Sequence, residues 1–156
     1  MKNPGKKFEE DFIKSLDPKT WHLRLKDAGG WSKSEDTRFT ISNPCDFLAM
    51  INTTLYMIEL KSHKGKSIPF SCLKQAEGLF KKYTGFDSVR PIFVFNFRDS
   101  LKTYAVNTSL VWLFMQDSDR KSIPESYCKE TGIEIQAILK RVRYRYQVEE
   151  ALKKIK

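Results

Sequence analysis

Apolar residues recur at helical spacing over residues 5–16, where Phe8, Phe12, Ile13 and Leu16 stand among polar neighbours. Pro4 suits the entry of that helix, and Asp17-Pro18 ends it. Residues 21–26 alternate instead, with Trp21, Leu23 and Leu25 against His22, Arg24 and Lys26, which predicts a strand with one wet face. Residues 27–43 carry Gly29-Gly30, Trp31 and mixed charges without a period, and predict a long loop or short stalk. Two strand-like runs, 45–51 and 55–61, flank Asn52-Thr53-Thr54 and predict a hairpin. Residues 71–83 then place Leu73, Ala76, Leu79, Phe80 and Tyr83 on one helical face, with Gly85 as a stop. The continuous apolar run 91–97 predicts a buried strand, with 103–106 as its partner. A short helix over 110–115, a helix over 124–131 ended by Gly132, a strand over 133–139 and a last helix over 147–155 complete the pattern. Such an order predicts an α/β sheet flanked by helices.

Composition adds a solvent and a partner. The 156 residues suffice for one domain across 1–156 without disulfide or metal staples. Lys and Arg total 28 against 19 acids, a formal charge of +9, which favours a polyanionic partner over mere solubility. Residues 140–156 form a basic C-terminal segment with seven cations against Glu149 and Glu150. Three widely spaced cysteines, Cys45, Cys72 and Cys128, include no CxxC pair; reduced thiols in a cytoplasmic protein are expected rather than a disulfide framework or a zinc knuckle. The basic start leads into an amphipathic segment, unlike a signal peptide, and no apolar run approaches membrane-spanning length.

The hairpin concentrates the chemistry. If Asn52 and Thr53 form its turn, Asp46 stands opposite Glu59; if Thr53 and Thr54 do, Asp46 stands opposite Lys61 with Glu59 diagonal to it. Either register puts the three side chains on one face within about 5–8 Å. A Glu-x-Lys in a strand is usually a solvated edge. Here the flanking Leu55, Tyr56, Met57, Ile58 and Leu60 predict burial on both sides, and embedded charges need partners. Two close carboxylates call for a cation between them. Mg²⁺, with Mn²⁺ able to substitute, takes carboxylate oxygens and keeps room for water and substrate phosphate. Lys61 adds a fixed charge suited to orienting water or stabilising charge on phosphorus.

Asn43-Pro44-Cys45-Asp46-Phe47 followed after an interval by Glu59-Leu60-Lys61-Ser62 resembles the PD-(D/E)XK nuclease core. Gly5 with Phe8-Glu9, Gln75 in the helix after the hairpin, Trp112-Leu113-Phe114 and Arg120-Lys121-Ser122-Ile123 extend the likeness to RecU-type Holliday-junction resolvases, in order from Gly5 to about Ile123. The resemblance implies a restriction-endonuclease-like α/β core, a magnesium-dependent endonuclease, and a homodimer acting on four-way or otherwise branched DNA. It implies catalytic roles for Asp46, Glu59, Lys61, Glu9 and Gln75, with Asp46 and Glu59 as metal ligands. Pro44-Cys45-Asp46-Phe47 stands where that family usually carries Thr-Thr-Asp-Tyr, and residues 27–43 are shorter than its stalk. A compact phage- or bacterium-encoded intracellular member fits these departures.

Other residues fill supporting parts. Lys64-Gly65-Lys66-Ser67 lacks the glycine spacing of a P-loop and reads as a basic loop touching DNA backbone. Arg120 and Lys121 join it as DNA contacts. Arg141, Arg143 and Arg145 interleave with Tyr144 and Tyr146, either as a nucleic-acid surface or as a strand with solvated arginines. Trp31, Lys33, Arg38 and Phe39 could insert at a branch point, or belong to an ordinary loop anchored by one Trp. His22 and His63 are too few for a zinc or HNH site. The rival functions are a less selective nickase or end-processing nuclease, and a non-catalytic module binding branched or single-stranded DNA.

Overall fold

The computed structural model describes residues 3–25, 43–140 and 143–155, with the backbone alone at 139–140 and 143–145. The chain begins with α1 (Pro4–Lys14), β1 (Trp21–Arg24), β2 (Phe47–Ile51), β3 (Thr54–His63), β4 (Ser67–Pro69) and, after a 3-10 turn at Phe70–Cys72, α2 (Gln75–Tyr83). It continues with β5 (Val89–Phe97), β6 (Lys102–Asn107), α3 (Thr108–Asp117), β7 (Ser122–Pro124), α4 (Glu125–Thr131), β8 (Ile133–Glu134), β9 (Ala137–Lys140), β10 (Arg143–Tyr146) and α5 (Val148–Leu152). Six strands form the central sheet in the order β1-β2-β3-β5-β6-β8. Only β3 and β5 run parallel within it, and α2 lies on the crossover that this requires. The class is mixed α/β, a mixed sheet between helices, as the pattern predicts.

Strand alternation splits the core into two layers. Phe47, Ala49, Ile51, Ile58, Leu60, Ile92 and Val94 face α1 and α5, meeting Phe8, Phe12, Val148 and Leu152. Met57, Phe93, Phe95, Phe97 and Val106 face the other way, onto Ala76 and Leu79 of α2 and Val111 of α3. The centre of the sheet is covered on both faces, which is why β5 is a continuous apolar run.

The hairpin closes on Asn52-Thr53, since Ile51 pairs with Thr54 and Phe47 with Ile58. Asn52 takes φ 56°, a left-handed conformation that Asn tolerates better than most residues. At the far side of the sheet, the residue that follows α4 must be a glycine, since a Cβ on Gly132 would stand 2.6 Å from the Ala105 carbonyl oxygen and 2.7 Å from that of Cys128.

Three expectations need correction. β1 is exposed on both faces, with Trp21 at 52% and Leu23 at 49%, because it is the sheet edge and no described element covers it. The strand expected over 133–139 is two strands in different sheets: Ile135 is buried and its N–H bonds the Thr103 carbonyl, and the chain then leaves to pair with β10. The helix expected over 71–83 starts only at Gln75, after the 3-10 turn. The long loop, residues 27–43, lies outside the described residues except for Asn43.

Candidate active site

Asp46 sits one residue before β2 begins, where the β2–β3 ladder ends. Its N–H donates to the Ile58 carbonyl at 3.0 Å, and its Oδ2 accepts the Leu60 N–H at 2.7 Å. The carboxylate thus stands in for the carbonyl that a longer β2 would offer, and the bond fixes its direction beside β3. Glu59 and Lys61 follow Met57 on the α2 face of β3 by strand alternation, and Asp46 precedes Leu48 on the same face of β2. The ladder ends with Phe47 opposite Ile58, and the Asp46 N–H reaches the same Ile58 carbonyl, so a bulge there sets the Asp46 side chain beside Glu59 rather than squarely opposite it.

Glu59 is 3% exposed, the only acid among the buried described residues. Burial above all, then the Asp46 charge and a side-chain hydrogen bond to Asp46, push its carboxyl up to about 8 although Lys61 pulls it down. Lys61 Nζ lies 3.2 Å from Glu59 Oε1. Near neutral pH the Glu59–Asp46 pair thus keeps a proton that a divalent ion would displace. Cys45, next in the chain, is a buried thiol pushed up to about 12 by desolvation and by Glu59; it is inert as a nucleophile.

Lys61 borders a cleft of about 360 Å³ lined also by Ser62, His63, Ile68, Ser71, Cys72, Lys74 and Gln75. Gln75, the first residue of α2, carries a buried Oε1 without a hydrogen-bond partner. An acceptor left in that state costs about 1–3 kcal/mol and marks a place where a ligand or water is expected. A larger groove of about 790 Å³ runs between residues 15–21 and 146–153, but its lining includes none of Asp46, Glu59 and Lys61. Of those three, the smaller cleft is lined by Lys61 alone.

No protein-family model matches the chain. The SPbeta prophage-derived uncharacterized protein YotM of Bacillus subtilis (strain 168) is 29% identical over 161 residues, which span 92% of this chain and 82% of that protein. Among solved structures, the Holliday junction resolvase Hjc of Archaeoglobus fulgidus is similar at TM-score 0.46 and 15% identity, covering 82% of this chain and 89% of its own.

The remaining predicted residues fall into three groups. Glu9 pairs with Arg24, whose strand partner Phe47 faces α1. Among the described residues no group of three His, Cys, Asp or Glu side chains is arranged to hold a metal, so Glu9 does not complete a triad with Asp46 and Glu59. Lys64, Lys66, Arg120 and Lys121 are exposed and flank β4 and β7, which pair with each other. Trp31, Lys33, Arg38, Phe39 and Arg141 lie outside the described residues, whereas Arg143 and Arg145 fall on the strand β10.

Sequence reading missed two features of the site. The β4–β7 pairing carries Ile68 and Ser71 into the cleft wall, and its signal was the repeated Ser-Ile-Pro at 67–69 and 122–124. The other is a polar row across the sheet. Ser62 Oγ donates to Asn96 Oδ1 at 3.0 Å, and Asn96 Nδ2 donates to Thr103 Oγ1 at 3.0 Å, tying the end of β3 to β5 and β6 just past Lys61. Nothing in the apolar pattern of these strands announces it.

Proposed function

We propose that this protein is a divalent-metal-dependent endonuclease of the PD-(D/E)XK type, acting on DNA. The observation that carries the reading is the buried Glu59 carboxyl set beside Asp46, with Lys61 Nζ 3.2 Å from Glu59 Oε1 on the same strand face.

The residues fit a magnesium or manganese ion. Asp46 and Glu59 would hold it, a number of protein ligands that Mg²⁺ accepts while keeping water and phosphate oxygens in its shell. Such an ion supplies Lewis-acid neutralisation of phosphoryl charge and makes water more acidic. Lys61 aims a fixed positive charge at the same face, where it stabilises charge developing on phosphate oxygens and helps orient the attacking water. The unpartnered Gln75 oxygen gives the cleft an acceptor for that water. Glu9 acts at one remove: it holds Arg24, and the next residue, Leu25, donates its N–H to the Asp46 carbonyl.

Branched DNA is the substrate we favour, from the resemblance of the ordered motifs to the resolvases, and an intracellular, phage-type setting accords with the YotM likeness. No helix among the described residues is long and apolar enough to cross a membrane. The test is cleavage of a synthetic four-way junction beside a matched linear duplex, with Mg²⁺ and with a chelator. Metal-dependent cutting that prefers the junction is expected. Equal cutting of both would reduce the protein to a nickase or end-processing nuclease, and binding with no cutting under any divalent ion would leave a non-catalytic module.

A homodimer belongs to the same proposal, because a four-way junction offers two symmetry-related strands and a two-fold enzyme presents two matched sites. Light scattering should return twice the 18.3 kDa chain mass. A monomer with and without DNA counts against it.

A further inference from the structure

Outside the carboxylate site, β4 and β7 are two copies of one sequence. Lys66-Ser67-Ile68-Pro69-Phe70-Ser71 and Lys121-Ser122-Ile123-Pro124-Glu125-Ser126 agree at five of six positions. They pair antiparallel about Ile68 and Ile123, with Ser67 opposite Pro124 and Pro69 opposite Ser122. The ribbon therefore has a local two-fold axis, and its outer hydrogen bonds obey it: the Phe70 N–H donates to the Lys121 carbonyl at 2.9 Å and the Glu125 N–H to the Lys66 carbonyl at 2.8 Å.

Three physical properties follow from that symmetry. Ile68 and Ile123 are both buried in the core layer under α2 and α3, so the ribbon is anchored. Pro69 and Pro124 cannot donate to a further strand, so it stays two-stranded. Its two ends carry like charge. Lys66 and Lys121 are exposed, each with another exposed cation close before it, Lys64 and Arg120. None of these four forms an ion pair among the described residues, and the Glu125 carboxylate beside Lys66 is engaged by Ser100 and Tyr104.

The ends are four residue steps apart, about 14 Å along the ribbon. One small anion cannot reach both, whereas a phosphodiester backbone presents charge continuously over that distance. Ile68 and Ser71 also line the cleft that holds Lys61 and Gln75, so whatever spans the ribbon runs past Lys61. We propose that the twinned Lys-Ser-Ile-Pro ribbon is a two-ended phosphate grip that holds a nucleic-acid backbone at two points beside the cleft, with Lys66 and Lys121 as equivalent contacts. This rests on the nucleic-acid reading above but not on catalysis.

The test is the salt dependence of affinity for a labelled linear duplex, measured in chelator so that no cutting occurs. Lys66→Gln and Lys121→Gln should each lower the slope of log affinity against log salt by about 0.9, and weaken binding about five- to tenfold at 0.1 M salt. The double variant should lose about twice the slope, and Lys66→Arg and Lys121→Arg should keep it. Lys153→Gln, just after α5 across the sheet, serves as the control and should change neither. An unchanged slope in either single variant with unchanged melting temperature overturns the grip, as does an equal loss from Lys153→Gln. These outcomes are separable from the nuclease reading, since a protein that cuts DNA with an unaltered slope keeps the chemistry and loses only the ribbon's part in it.

Discussion

Lys61 Nζ sits 3.2 Å from Glu59 Oε1, two residues along the same strand face, yet the Glu59 carboxyl stays near 8. One ammonium does not compensate for burial and for Asp46 together. The site is thus built against its own charges, and its stability should depend on what neutralises them.

The first consequence concerns pH. A carboxyl whose folded value of about 8 exceeds its ordinary 4.5 holds its proton more tightly when folded. Its contribution to stability is therefore fully present below about 4.5 and is lost as pH rises through about 8. In chelator, the melting temperature should fall between pH 5 and pH 8.5, and Glu59→Gln should flatten that fall and melt higher at pH 8.5. Identical pH profiles for the two proteins would remove Glu59 as the cause.

Divalent ions should reverse the effect. Mg²⁺ or Mn²⁺ competes with the shared proton, so the rise in melting temperature on adding the ion should be larger at pH 8.5 than at pH 6. A concentration one hundred times the dissociation constant gives about 2.7 kcal/mol of stabilisation. Thermal melts of wild type and Glu59→Ala across an ion titration read this without any DNA. A rise that survives in Glu59→Ala places the ion elsewhere.

Removing the lysine should separate binding from chemistry. Lys61→Ala is expected to slow single-turnover cleavage by about 10²–10³-fold, the usual cost of losing one donor aimed at a transition state. Affinity should change little, because many other cations meet the backbone. A parallel loss of affinity and rate makes Lys61 a backbone anchor.

Gly132 offers a test of the fold itself. The close carbonyl oxygens of Ala105 and Cys128 belong to backbone, which cannot swing aside. Gly132→Ala should therefore destabilise by about 1–3 kcal/mol in denaturant melts, the usual cost of overpacking. Wild-type stability in this variant means that β8 can shift away from β6 without penalty.

The central hairpin was legible because period-two patterning and turn chemistry act locally: the strand runs and the Asp46, Glu59, Lys61 face depend only on neighbours in sequence. The turn register was left between two choices, and Asn52 decided it by adopting positive φ. What sequence did not yield is nonlocal. Ser67–Pro69 and Ser122–Pro124 each carry one apolar residue, too little for any periodicity, and they become strands only by meeting each other. The covered face expected of β1 failed for a similar reason, since alternation reports which side could be buried and not whether a layer lies there. Phe8-Glu9 matched a motif by its spacing from Gly5, but the Arg24 partner of Glu9 lies on a separate strand that the spacing does not see.

The face that α1 covers is also where the chain's early and late segments meet. Phe8 packs its ring edge-on to Tyr146, Ser15 Oγ accepts the Tyr146 N–H, and Glu149 accepts the Asp17 N–H across 132 residues of sequence. During synthesis, then, α1 can settle on the β2–β3 hairpin early, through Phe12 and Phe47, but its outer edge stays open until residues 146–149 emerge and this seam is drawn shut.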